Sequence, residues 1–184
     1  MRIFRLFFDL LFLSRPLLLV PVWGFCAFGY RCGMIQEGNA GSLCSLNIPV
    51  SIYSSIFIFS LSVAAVYILN QIADIEVDKK NGGLPLLASG VVGTHSAWIS
   101  ASVLFLLSAL VPLITRDYTL MLLSASSVLL GILYSFKPTF FSGKPILDFL
   151  SNALGYGVIA FGVGWYLSGA TFSHLPAFIT SALP

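Results

Sequence analysis

Long apolar runs broken by short polar punctuation organise this chain. A helix that crosses a hydrocarbon core needs about 20 mostly apolar residues. Five segments meet or approach that length, from about Pro16 to Gly33, Ile48 to Ile72, Ser96 to Ile114, Tyr118 to Leu133 and Leu147 to Gly169. A further apolar stretch begins near Leu175 and stops at Pro184 before it could cross. The pattern predicts an all-α membrane protein, a multi-helix transmembrane bundle forming a single helical domain over residues 1–184. Because about ten residues cannot span a bilayer as a helix, a truncated or partial chain is the favoured reading of the end. A re-entrant or interfacial tail is the other.

The N-terminal MRIFRLFFDLLFLSRP has a basic start and an apolar run, as a signal peptide does. Asp9 interrupts the run and no small-residue cleavage pattern follows. It reads instead as an uncleaved interfacial helix leading into the first span. Within the fifth span Ala160, Gly164 and Ser168 recur every four residues, a spacing that lets helix backbones approach closely in lipid.

Composition agrees. The 184 residues are 58% hydrophobic and 9% charged, and the mean hydropathy is +0.96. Soluble domains carry about 25% charged residues, so this exterior has lipid as much of its solvent. A net charge of +2, scattered along the chain, excludes a nucleic-acid surface. Cys26, Cys32 and Cys44 form no metal-ligand spacing.

The basic residues set an orientation. With the N-terminus cytoplasmic, Arg2, Arg5, Arg15, Lys79, Lys80, Lys137 and Lys144 fall on the cytoplasmic side, and Arg31 and Arg116 on the other. Seven against two obeys the positive-inside rule. It places the stretches after the second and fourth spans, residues 71–95 and 134–146, on the same face as the N-terminus.

Three of the seven acidic residues crowd into Asp74-Ile75-Glu76-Val77-Asp78. Asn70, Asp74 and Asp78 are spaced i, i+4, i+8, and each step of four drifts by only about 40° around a helix. All three therefore share one face, while Glu76 falls about 160° away from either aspartate. Carboxylate and amide oxygens are hard ligands that suit magnesium, which is commonly held by one or two carboxylates plus substrate phosphates. Asn70 to Asp78 covers about 12 Å of helix, too long for one ion on a regular helix and suited to a row of oxygens along a diphosphate. Juxtamembrane acids can equally be solvated helix ends.

Asn70-xxx-Asp74-xxx-Asp78 resembles the first aspartate-rich motif of the UbiA-type intramembrane prenyltransferases. Three further matches occur in order: Arg15-Pro16 at the opening of the first span; Leu84-Pro85-Leu86-Leu87-Ala88-Ser89-Gly90, which resembles the family's Pro-Leu-x-x-Gly element and most nearly its form in homogentisate-type enzymes; and Tyr134-Ser135, Pro138, Lys144-Pro145 and Asp148, which resemble the stretch before the family's fifth helix. The chain looks like the N-terminal portion of such a protein, about its first five helices. Two departures stand out. Gly82, Gly83 and Leu84 occupy a region where the family often has a basic residue, and no acidic residue follows Asp148, so the family's second aspartate motif is missing.

The resemblance implies a magnesium-dependent enzyme that moves a prenyl group from a prenyl diphosphate to an aromatic or other lipophilic acceptor within the bilayer. By that resemblance Asp74 and Asp78 are catalytic, Asn70, Asp74 and Asp78 hold the metal, and Arg15, Asn70, Lys79, Tyr134, Ser135 and Lys144 bind substrate. Each also has a plainer reading. Tyr134 is an interfacial aromatic anchor, Lys79 and Lys144 are positive-inside charges, and Asp148 caps a helix or pairs with Lys144. His95 and His174 read as loop or helix-start residues. Two other functions stay open: an inactive remnant with a missing C-terminal half, and a membrane transporter or binding protein, which would place its charges near the midplane.

Overall fold

The computed structural model describes residues 2–38, 48–81 and 86–171. Cys44, His174, the stretch from Leu175 and the Gly82–Pro85 part of the Pro-Leu element lie outside the described residues.

Helices α1 (Arg2–Leu13), α2 (Leu19–Gln36), α3 (Val50–Ala73) and α4 (Ile75–Lys80) form the N-terminal half, and α5 (Thr94–Ile114), α6 (Tyr118–Ser135), α7 (Pro145–Asn152) and α8 (Phe161–Leu167) follow. Five stretches are long and apolar enough to cross a membrane: 7–36, α3, α5, α6 and the continuous helix from Pro145 to Leu167. They fall where the apolar runs predict them. The last is joined through a π-helical stretch, Ala153–Ala160, which no hydropathy pattern signals.

Each boundary has a local cause. Pro49 precedes α3 and Pro145 opens α7, positions where the missing proline N–H is not needed. The α1 helix stops at Ser14 and Arg15, which adopts a left-handed φ of 49° before a 3₁₀ turn, Pro16–Leu18. Asp117 begins α6, its Oδ1 accepting the backbone N–H of Leu120 at 3.0 Å. The same oxygen accepts the Tyr166 hydroxyl at 2.8 Å, tying the far ends of α6 and α8 together. Gly90 closes the turn after α4 at φ 75°, a conformation that favours glycine.

The α3 helix is the hub. It packs against α2, α5, α6 and α8 and is the most enclosed of the five spans. In lipid, burial of apolar surface does not distinguish neighbouring helix from acyl chain, so close packing and internal hydrogen bonds hold the bundle. The serines of α3 satisfy themselves within the helix: Ser60 Oγ donates to Ile56 O at 2.7 Å and Ser62 Oγ to Phe59 O at 2.7 Å. Trp23 Nε1 of α2 donates to Ser60 Oγ at 2.8 Å.

Small residues set the approach of α2 and α8. A Cβ on Gly164 would collide with the carbonyl of Cys26, one on Gly29 with the carbonyl of Phe161, and Gly33 lies against Ser168. The repeat of Ala160, Gly164 and Ser168 is thus a helix-packing seam, as its spacing predicts. At the other end of the bundle a core of Leu13, Leu69, Leu87, Val92 and Ala97, with Leu10, Ile75 and Phe136 against it, gathers the end of α1, the α3–α5 connection and the α6–α7 turn. Arg15, Lys79, Lys80, Lys137 and Lys144, read from the sequence as one face, lie in the connections gathered at this end.

Two outcomes follow from the packing. Gly164→Val should lower the unfolding free energy in a detergent denaturation titration by about 1–3 kcal/mol through overpacking, while Gly24→Ala, where a Cβ meets nothing within 4 Å, should not. Asp117→Ala removes both a helix cap and the Tyr166 partner and should cost about 1–2 kcal/mol in the same titration.

Candidate active site

At the end where these loops gather, the last turn of α3 carries polar residues out of an apolar helix. Regular α-helix ends at Ala73. Asp74 takes φ −91° and ψ 1°, and α4 restarts at Ile75. The backbone bonds bracket this slack residue: Asp74 N–H donates to Asn70 O at 3.0 Å and Asp78 N–H to Asp74 O at 2.8 Å. Asn70, Asp74 and Asp78 thus keep helical i, i+4 backbone bonds although the dihedrals of Asp74 leave the regular α-helix.

Side chains then lock the corner. Asn70 Nδ2 donates to Asp74 Oδ2 at 3.0 Å, and Asn70 Oδ1 accepts from Ser135 Oγ at 3.2 Å. Next along α6, the Tyr134 hydroxyl donates to Asp148 Oδ1 at 2.7 Å, and Asn152 Nδ2 donates to the same oxygen at 3.0 Å. Two Asn/Asp pairs at i, i+4, one closing α3 and one on α7, are thus bridged by the adjacent residues Tyr134 and Ser135. Asp148 neither caps α7 through its side chain nor pairs with Lys144, whose Nζ reaches Thr139 O at 3.2 Å.

Electrostatics at Asp74 follow from its place. Burial raises its proton affinity above that of an ordinary aspartate, and the charge of Asp78 raises it further. The Asn70 hydrogen bond and the Arg15 charge act in the opposite sense. Lys79 lies elsewhere, its ammonium 3.6 Å from Glu76 Oε1, the acid that the helical wheel sets apart from the aspartates. Among the described residues no three His, Cys, Asp or Glu side chains converge as a metal site. The cluster offers two carboxylates and an amide.

Beneath the network lies a cavity of about 260 Å³. Arg15, Asn70, Tyr134 and Asn152 line its polar end, and Val22, Val63, Leu130 and Ala160 its apolar part. From Asn70 to Val63 the lining descends about 10 Å of α3. Gly155 also faces it, and a Cβ there would meet only Leu130, at 3.8 Å. A larger groove, about 360 Å³, lies among Leu69, Trp98, Phe105 and Phe136 and has no ionisable group in its lining.

The structure brings Arg15, Asn70, Tyr134 and Ser135 together with Asp74, and places Asp78 one turn further on. Lys79 and Lys144 stand exposed at the same end with partners of their own. Several residues around the cavity escape the sequence reading. Tyr67 donates to Leu18 O at 2.9 Å and bonds Tyr156 at 3.1 Å between hydroxyls. Gln71 donates to Leu13 O at 2.6 Å. Two signals could have found them: Tyr67 sits at i−3 from Asn70 on the same face, and Asn152 repeats beside Asp148 the spacing of Asn70 and Asp74.

Compared with known proteins, the chain matches no curated protein and no solved structure. It does match the sequence model of the UbiA prenyltransferase family over residues 40–184. That match takes in most of the chain and all of the polar network except Arg15, and it follows that this chain belongs to the UbiA prenyltransferase family.

Proposed function

We propose that this chain carries the prenyl-diphosphate end of a magnesium-dependent intramembrane prenyltransferase, which moves the prenyl group to an aromatic or other lipophilic acceptor. The observation that carries the reading is the cavity itself, apolar for most of its depth and rimmed at one end by Arg15, Asn70 and Tyr134 beside Asp74. A prenyl diphosphate has the same polarity profile, a highly charged head on a hydrocarbon tail.

The residues fit a magnesium ion. Their donors are hard oxygens, and Asp74, whose proton affinity is raised first by burial and then by the charge of Asp78, is a carboxylate that a divalent cation would stabilise. Asp74, Asp78 and the Asn70 amide oxygen would hold it. When bound, the metal supplies positive charge against that developing on the leaving diphosphate. Arg15, lining the same cavity, adds a guanidinium suited to phosphate oxygens. Lys79 and Lys144 add positive potential that draws the anion in. Asn70 and Ser135 orient the Asp74 carboxylate, and Asp148 with Asn152 holds the Tyr134 hydroxyl. The apolar walls of Val22, Val63 and Leu130 seat the tail and exclude water from the cation until the acceptor attacks. By the distribution of basic residues this end faces the cytoplasm.

The test is binding and turnover of radiolabelled prenyl diphosphate by the protein in nanodiscs. Chelation of magnesium should abolish both. Asp74→Asn and Asp78→Asn should each lower turnover by about 10²–10³-fold, as loss of an electrostatic stabiliser does, and Tyr134→Phe by about tenfold. Binding that ignores both magnesium and the aspartates would overturn the reading. Magnesium-dependent binding without transfer would identify a binding protein or an inactive remnant.

A further inference from the structure

The α1 helix ends at Leu13, which is fully buried. The last carbonyls of a helix have no partner within it, and a buried one cannot turn to water. Gln71 supplies the partner: its Nε2 donates to Leu13 O at 2.6 Å, and the residue is 4% exposed. One helical turn earlier on α3, the Tyr67 hydroxyl donates to Leu18 O at 2.9 Å. Between these two anchored carbonyls lies Arg15, at φ 49° and ψ 60°, a left-handed conformation that an L-residue with a side chain rarely adopts and that surrounding structure must impose. Asn70, the first member of the polar network, sits on α3 between the two anchors, and Arg15 and Asn70 line the same cavity.

We propose that Gln71 and Tyr67 are positioning residues for Arg15: two hydrogen bonds from adjacent turns of α3 staple the 13–18 segment down on either side of Arg15 and hold its guanidinium over the polar end of the cavity. The proposal rests on the diphosphate reading of that cavity. It makes α3 bifunctional, one face presenting the acids and the neighbouring positions fixing the opposing base. It also explains an amide and a hydroxyl inside a membrane helix, where polar side chains are costly unless paired.

The experiment is magnesium-dependent binding of inorganic pyrophosphate to the full chain in nanodiscs, together with amide hydrogen exchange over residues 13–18. Gln71→Met keeps the volume and removes the donor. It should weaken pyrophosphate about tenfold and speed exchange in the segment. Arg15→Ala should weaken binding to a similar extent, and the double variant should bind no worse than Arg15→Ala alone. Wild-type affinity in Gln71→Met, or losses that multiply in the double variant, would overturn the staple. Should Gln71→Met not fold, Tyr67→Phe deletes one oxygen and should still give about a threefold loss that disappears in the Arg15→Ala background; unchanged affinity there counts equally against it. If Asp74→Asn and Arg15→Ala both bind as the wild type does, the diphosphate reading fails by itself. Unchanged exchange in Gln71→Met then removes the staple, and faster exchange retains it.

Discussion

Asp74 stands where a helix of 24 residues, apolar for most of its length, comes to its end. A carboxylate there loses water on one side and meets the charge of Asp78 on the other, and both effects oppose ionisation. Lipid offers no compensation, so the polar groups needed to hold such a residue must come from other helices. Much of the architecture at this end of the bundle answers that requirement. Asn70 donates to the carboxylate, Ser135 fixes Asn70, and the next residue of α6 carries the network on to Asp148 and Asn152. A single acid at the end of a span thus ties together α3, α6 and α7.

The remainder of the bundle can be built with few directed interactions because its solvent asks for few. Serine hydroxyls close on their own helices, and glycines let α2 and α8 touch backbone to backbone. The same economy leaves room for a cavity. Gly155 and Ala160 present almost no side chain to it, and Arg15, in its left-handed turn, and Leu18 line it as well. On α3 the lining changes character from Val63 to Asn70, and residues of the neighbouring helices, Val22 and Leu130 at the apolar part and Tyr134 and Asn152 at the polar end, follow the same order.

Under the proposed function such a cavity suits a membrane. Arg15, Asn70 and Tyr134 line its polar end and Val22, Val63 and Leu130 its apolar depth, the order in which a prenyl diphosphate carries charge and hydrocarbon.

The run lengths determined the five spans, because a bilayer core has a set thickness and an apolar helix has a set rise. The i, i+4 spacing by itself puts Asn70 and Asp74 side by side, since helical periodicity is local. The packing repeat through Gly164 was legible for the same reason. What the sequence could not decide is anything that depends on which helices are neighbours. The partner of Asp148 is Tyr134 rather than the nearby Lys144, and Lys79 turns to Glu76 and away from the aspartates. The irregular dihedrals of Asp74 and the π-helical stretch through Gly155 interrupt periods that hydropathy alone would continue. Gln71 and Tyr67 read as ordinary members of a span until the segment from Leu13 to Leu18 is laid across them. Their meaning lies in carbonyls 58 and 49 residues away along the chain, and only the tertiary fold brings those within hydrogen-bonding distance.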